Sequence, residues 1–374
     1  MPYTPPVVNY YNTATASWLS MSGVQSVNIM RGRQRFQDPI SQTSLTVEII
    51  PTATTTFNVG QLIDVRDANT DGSNCYFQGQ ITDVQRSYSF PYNAVAGTTP
   101  ADRITISATG ATGNVGSTQI VNLNWLSGNL GGIIEPLLNG QNLETGAAYP
   151  NSFEASGQIG VTGGLLEILN QLLNTGQLVF DDYKIARSIG KLGFTYYPIG
   201  KVFSSISFTD TGTGYAYTGL EYLSSVQNTF NWVEVEAAGV STSITSGRAP
   251  FNALQYKTYS FNAADTANLS AYLYNLLSGQ IAPTPFSIST DTMAADGCMA
   301  LAQIPQGSLT NAVIGQPVTV AFRGTTGIGN VIGVNSVFYP DYGSVQCYLS
   351  PSFGPSFILD SASFGVLDQN RLGL

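Results

Sequence analysis

The chain contains no histidine in 374 residues. That absence removes the Ser–His and Cys–His nucleophile systems, most catalytic zinc sites and the side chain that most often moves protons near neutral pH. Cysteine is nearly missing too: Cys75, Cys298 and Cys347 form an odd, widely spaced set. Such a set builds neither a disulfide framework nor a metal knuckle, so each is expected to be a small buried hydrophobe. Charge is equally scarce. Asp, Glu, Lys and Arg make up 10% of the chain, against about 25% in ordinary globular proteins. The net charge is −9, and the cations are scattered apart from Arg31, Arg33 and Arg35. No sequence-specific nucleic acid is therefore expected as a partner. No apolar run approaches the length of a membrane-spanning segment. The first residues, MPYTPPVVNYY, lack the basic and apolar regions of a signal peptide.

What fills the gap is Tyr, Thr, Ser, Asn and Gly, with 20 Tyr and 43% apolar residues. A surface that is polar but uncharged suits burial against neighbours in a large assembly. Strand signals dominate. Short alternating runs at Val24–Met30, Ser44–Ile50, Leu62–Val65, Tyr76–Val84 and Arg103–Ala108 are separated by Gly, Asn, Asp and Pro. They read as a first antiparallel β-barrel domain within residues 1–118. A connecting region, 119–192, follows. Its stretch Gly128–Gly157 reads as mostly irregular, with one apolar piece at Ile133–Leu138. A helix then carries Leu165, Leu166, Ile168, Leu169, Leu172 and Leu173 on one stripe. A strand follows at Gln177–Phe180, and Asp181-Asp182 reads as a turn. Residues 193–255 read as a mixed α/β domain: strands at Val202–Phe208 and Trp232–Glu236, and a short helix through Leu220, Leu223 and Val226. The last region, 256–374, opens with a helix from Ala263 to Leu277, capped by Asn262 and ended by Gly279. Strands return at Phe286–Ser289, Val318–Phe322, Val331–Val337 and Val345–Leu349. The expected fold class is mainly β with some α (α+β): two small antiparallel β-barrel domains joined by a mixed α/β middle region.

The end of the chain repeats its beginning. Val59-Gly60-Gln61-Leu62-Ile63-Asp64-Val65 matches Ile314-Gly315-Gln316-Pro317-Val318-Thr319-Val320. Gly79–Val84 corresponds to Val331–Val337, and Arg103–Ser107 to Ser344–Tyr348. In each copy a Gly-Gln turn feeds a strand, a loop, a second strand and a third. Two such units per chain would let three chains present six, so that a homotrimer docks on a six-fold ring.

Candidate chemistry is thin. Asp67, Asn69 and Asp71 match the first half of a calcium loop, but its twelfth position is Gln78 rather than Glu. A polar hairpin tip is the simpler reading, and no metal or cofactor is expected. Glu234 and Glu236 share one face of a strand, as a solvated pair does. Gly327 and Gly329 begin a dinucleotide loop without its third glycine. Arg31, Arg33 and Arg35 alternate along a strand and are expected on one face. There they either dock on an acidic rim of a neighbouring subunit or keep an edge strand from aggregating, and the interface is preferred. No enzyme is expected.

Trp18, the stretch Val24–Asp38, Ser41–Ile49, Phe77–Val84, Arg103–Ala108 and Tyr272–Leu277 with Pro283 together resemble minor tail proteins of long-tailed, siphovirus-like bacteriophages. The C-terminal run FILDSASFGVLDQNRLG, starting at Phe357, resembles theirs most. The resemblance covers both ends and the helix near Leu269. It implies a homotrimeric baseplate hub in the virion, at the tail tip. The hub would continue the tube lumen, meet a distal tail protein or tail tube protein above, carry tail fibre or spike proteins below and touch the tape-measure protein. A distal tail ring protein, a receptor- or carbohydrate-binding adhesin and a cell-wall hydrolase are the competing readings.

Overall fold

A computed structural model describes residues 3–35, 38–51, 56–68, 74–88, 102–141, 143–145, 154–176, 178–187, 190–198, 206–210, 214–221, 230, 232–237, 240–245, 255–277, 287–290, 302–303, 314–323 and 325–351. Strands form where apolar residues alternate. A hairpin of β1 (Val7–Asn12) and β2 (Ser17–Ser20) comes first. It is followed by β3 (Val24–Gly32), β4 (Ser44–Ile49), β5 (Leu62–Arg66), β6 (Cys75–Ser87) and β7 (Arg103–Thr109). The two-residue period puts one row of each strand inside. Val27 and Ile29 of β3, Leu45, Val47 and Ile49 of β4, and Ile104, Ile106 and Ala108 of β7 are all buried.

The middle of the chain is more regular than its sequence suggests. It runs α1 (Ala111–Gly116), β8 (Gln119–Trp125), β9 (Gly128–Asn129), α2 (Leu130–Asn139), β10 (Leu143–Thr145), β11 (Glu154–Ala155), β12 (Gln158–Gly164), α3 (Leu165–Gly176), β13 (Leu178–Tyr183) and β14 (Leu192–Pro198). The expectation of an irregular stretch over 128–157 is thus corrected by α2. Gly131, Gly132 and Pro136 disfavour a helix locally. Tertiary burial of Leu130, Ile133, Ile134 and Leu138 overrides them, and the Asn129 side chain accepts from the Gly131 N–H at the start. The helix expected on the leucine stripe is α3, with Leu165, Ile168, Leu169, Leu172 and Leu173 buried.

The last part holds β15 (Ile206–Thr209), β16 (Gly219–Glu221), β17 (Trp232–Ala237), β18 (Val240–Thr245), β19 (Gln255–Tyr259), a 3-10 turn (Ala263–Asp265), α4 (Thr266–Leu277), β20 (Ser287–Thr290), β21 (Pro317–Phe322), β22 (Thr325–Phe338) and β23 (Gly343–Pro351). Asn262 caps the 3-10 turn as expected, accepting from the Ala264 N–H. The expected helix at Leu220 is instead strand β16, because Leu220 pairs with Ile288 across β20. Leu223, Val226, Gly279, Pro283 and the C-terminal run from Phe357 lie outside the described residues.

Pairing joins the two ends of the chain. One 13-stranded sheet runs β16-β20-β23-β22-β3-β4-β7-β6-β5-β1-β2, with β21 on β22 and β15 on β21. The two expected barrels are therefore halves of one sheet, and no barrel closes among the described residues. The link is β22, whose Gly333–Phe338 half pairs with Gly32–Val27 of β3. A first core lies along this sheet and draws on both halves, from Val47 and Ile106 to Val334 and Cys347. A second core gathers α1, α2, α3, β13 and β14. A third packs Leu269 and Leu273 of α4 on Val233 and Val235 of β17.

The internal repeat is structural. The Gly60 N–H donates to Ile81 O at 2.8 Å and the Ile81 N–H donates to Gln61 O at 2.9 Å. In the second copy the Gly315 N–H donates to Val331 O at 2.6 Å and the Val331 N–H donates to Gln316 O at 2.9 Å. Gly60 and Gly315 have φ of +85° and +87°. A register shift follows Ile81 in one copy and Val331 in the other. Ile81 is thus equivalent to Val331, and Val84 to Val334, two to three residues away from the alignment that sequence alone suggests. For β7 and β23 the sequence alignment holds as it stands: Val84 pairs with Ile106 as Val334 pairs with Cys347.

Candidate interface and buried charge junction

The three arginines expected on one face are separated. Arg31 continues the inward row of Val27 and Ile29 and is buried. Gly32 then takes φ +72°, which breaks the two-residue alternation. A Cβ there would meet Ile332 O at 2.3 Å, so only glycine lets β3 cross β22 this closely. Beyond it Arg33 is also buried, donates to Asp38 O at 3.2 Å and has its N–H on Ile332 O at 2.9 Å. Burial pushes the Arg33 guanidinium down, partly offset by Tyr256, Tyr272 and Asp38. Only Arg35 is exposed, in a local ion pair with Asp38 at 2.9 Å.

Arg31 points to a buried acidic pair that sequence reasoning took for a turn. Asp181 and Asp182 lie inside β13, paired with Thr195 and Phe194 of β14. Adjacent polar acids read as a loop signal because burying them requires partners that a local pattern does not display. Those partners come from far away. Arg31 Nη1 approaches Asp181 Oδ2 at 3.9 Å. The Asp182 N–H donates to Asp181 Oδ1 at 2.9 Å, and the backbone of Ile314, at the head of the second repeat copy, also hydrogen-bonds Asp181. Asp182 accepts from the Thr112 N–H at 3.2 Å and from the Thr43 side chain. Burial raises both carboxyls; Arg31 counters this at Asp181, whereas Asp182 is pushed up to about 7, helped by the charge of Asp181. The cluster ties β3, β13 and the start of the second unit together. Its place is the junction of the halves, away from solvent.

A second acidic centre is fully partnered. Asp64 of β5 accepts from Arg66 Nε at 2.8 Å, from Arg187 Nε and Nη2 at 2.8 Å each, and from Asn9 Nδ2 at 3.0 Å. Arg187 also lies 4.4 Å from the centre of the Trp18 ring. This latch binds the N-terminal hairpin to the segment after β13. Nearby, Gln78, the twelfth position of the calcium-like loop, exchanges both amide bonds with the Ile185 backbone. Of the loop itself, Asp67 is described, and Asn69 and Asp71 lie outside the described residues. Among the described residues no three His, Cys, Asp or Glu gather as a metal site would require. Glu234 and Glu236 flank Lys257 of β19, at 3.8 and 2.6 Å. Gly327 and Gly329 sit within β22. Cys75 and Cys347 are buried thiols, and Cys298 is outside the described residues. No described helix is long and apolar enough to cross a membrane.

What remains at the surface is backbone. β6 continues past the end of β5: Leu62 is opposite Gln80 and Ile81 bonds Gly60 and Gln61, while Thr82–Ser87 have only β7 paired beside them among the described residues. At the end of the sheet β16 pairs with β20 alone. Exposed strand edges with few charges, here Asp83 and Arg86 on β6 and Glu221 on β16, are natural surfaces for pairing with another chain.

No family model and no curated protein matches the chain by sequence. Solved structures do match its fold. The 43 kDa tail protein of prophage MuSo2 from Shewanella oneidensis superimposes with a TM-score of 0.58 at 12% identity, over 92% of this chain and 97% of that one. A tail protein from Neisseria meningitidis MC58 gives 0.59 at 12% identity, over 94% and 97%. An Escherichia coli component of the type VI secretion system, described as similar to T4 tail proteins gp27 and gp5, gives 0.50 at 12%, over 91% and 76%. The chain shares the fold of these proteins over more than nine-tenths of its own length.

Proposed function

We propose that this protein is a structural, non-enzymatic component of a bacteriophage-type tail, and that it is the hub at the tail tip, assembled as a homotrimeric ring. The observation that carries the reading is the shared fold with two tail proteins along nearly the whole of both chains. The internal repeat supports the ring: each chain offers two equivalent units, so three chains offer six. The site residues of such a protein are its interfaces. Its partners would be a distal tail or tail tube protein above, fibre or spike proteins below and the tape-measure protein inside. Scarcity of charge and the lack of histidine agree with a role in packing rather than chemistry.

The test is to label particles from the strain that encodes the chain with an antibody against it, and to count its copies by quantitative mass spectrometry. Label at the distal end of the tail with three copies per particle is expected. Six copies there would make it the distal ring, peripheral label on fibres would favour an adhesin, and absence from particles would overturn the tail reading.

A further inference from the structure

The repeat predicts how neighbouring copies meet. In the first unit the inner strand order is β3-β4-β7-β6-β5, and in the second it is β16-β20-β23-β22-β21. The registers make the equivalences explicit. Val47 faces Ile106 and Val27 across β4, and Ile288 faces Cys347 and Leu220 across β20. Leu220 of β16 is therefore the counterpart of Val27 of β3. By the same reckoning Val84, Arg86 and Tyr88 are the counterparts of Val334, Ser336 and Phe338.

One junction between units is made inside the chain: β3 of the first unit pairs antiparallel with the outer half of β22, Val27 opposite Phe338. The counterpart of that junction is missing. Among the described residues neither β16 nor the outer half of β6 has a strand paired on the corresponding side, although the Arg86 side chain donates from Nη2 to Phe57 O at 3.2 Å. The Asp102 N–H donates to Ser87 O, so Ser87 turns its carbonyl to β7, and alternation turns the backbone of Arg86 and Tyr88 to the open side. Burial follows the presence of the partner strand. Val334, Ser336 and Phe338 are 1%, 2% and 1% exposed under β3. Val84 and Arg86 are only partly buried, and Tyr88, in the place of Phe338, is 63% exposed.

We infer that β16 of one copy pairs antiparallel with the outer half of β6 of the next, Leu220 opposite Tyr88, repeating between chains the β3–β22 junction made within each. The contact is heterologous, with different surfaces on the two sides, and successive copies close a ring when the rotation between them closes, as the proposed trimer requires. The inference rests on the ring proposed above and names the surfaces that would form it.

Two variants test it on the full chain. Leu220→Cys/Tyr88→Cys is treated with a short bis-maleimide, next to the unmodified chain with its own three cysteines and to Leu220→Cys/Asp83→Cys. Asp83 lies five residues along the strand, roughly 17 Å away at about 3.4 Å per residue. Covalent oligomers are expected from the first pair at least ten-fold above both controls. Arg86→Pro removes one N–H from the open edge together with the side-chain bond to Phe57 O, and leaves the β7 pairing intact; Arg86→Ala, which loses the side-chain bond alone, is its control. Arg86→Pro is expected to match the unfolding midpoint of Arg86→Ala and, unlike it, to lose the oligomer in native mass spectrometry. An oligomer that forms without selective cross-linking and survives Arg86→Pro overturns the edge pairing and leaves the hub reading standing. A chain monomeric at every concentration overturns the edge pairing too, and the particle count then judges the hub reading alone.

Discussion

At the scale of single residues, the burial of Asp182 sets a pH dependence whose sign is fixed. Its carboxyl moves from 3.8 to about 7 on folding, chiefly by desolvation. Below pH 4 both states are protonated and there is no penalty. Between pH 4 and 7 the unfolded chain releases a proton that the folded chain keeps, so stability falls as pH rises and the loss is complete above 7. Unfolding by urea at pH 5 and pH 8 is expected to show a decline of a few kcal/mol for this group. Asp182→Asn should flatten the decline. An equal decline in the variant would mean that Asp182 is not the group. Arg31 belongs to the same junction. Arg31→Ala leaves Asp181 buried without its cation and is expected to cost about 3–5 kcal/mol. Arg35→Ala, at the exposed pair with Asp38, should cost less than about 1 kcal/mol in the same titration. Both arginines look alike in sequence. Gly32 separates them, and only the close approach of Ile332 reveals what that glycine does.

At the scale of elements, the repeat locates two glycines whose backbone no side chain favours. A Cβ on Gly60 meets nothing within 4 Å, so any effect of replacing it is conformational. With φ near +85° the left-handed penalty is about 1–2 kcal/mol, larger for a β-branched residue. Gly60→Val and Gly315→Val should each lower the thermal midpoint, and Gly60→Asn, which tolerates this region, should lower it less. Equal losses for Val and Asn would assign the effect to something other than backbone strain. Most strands were legible because their apolar residues alternate against one core, as in β4 and β7. Helix α3 was legible from its leucine stripe, and α4 because its stripe follows the Asn262 cap. Helix α2 was hidden by Gly131, Gly132 and Pro136, and Leu220 of β16 was misread because it stands at helical spacing from Leu223 and Val226, which lie outside the described residues. The buried Asp181 and Asp182 were illegible for a different reason: Arg31, Thr43, Thr112 and Ile314 reach them from more than 65 residues away.

At the scale of the whole molecule, the two units do not own separate cores. Phe338 of β22 lies 5.3 Å from Tyr76 of β6, ring centre to ring centre, and both are buried. Sequence reading drew two barrels because each copy of the repeat is locally complete; the sheet that fuses them depends on the β3–β22 register, which no local pattern displays. Fusion has a measurable consequence. Truncating a buried phenylalanine costs about 3–5 kcal/mol, and in a single cooperative core that loss is felt everywhere. Trp18 stands on the N-terminal hairpin, against Tyr11 and Arg187. In a chain whose Trp125 and Trp232 are replaced by Phe, the fluorescence of Trp18 reports unfolding of the first unit alone. Phe338→Ala, a change in the second unit, is expected to shift the Trp18 transition by the same free energy as the transition seen by far-ultraviolet circular dichroism. A Trp18 transition that stays in place while the dichroism signal splits into two steps would mean that the units fold independently, and that the sheet joining them adds little to the stability of either.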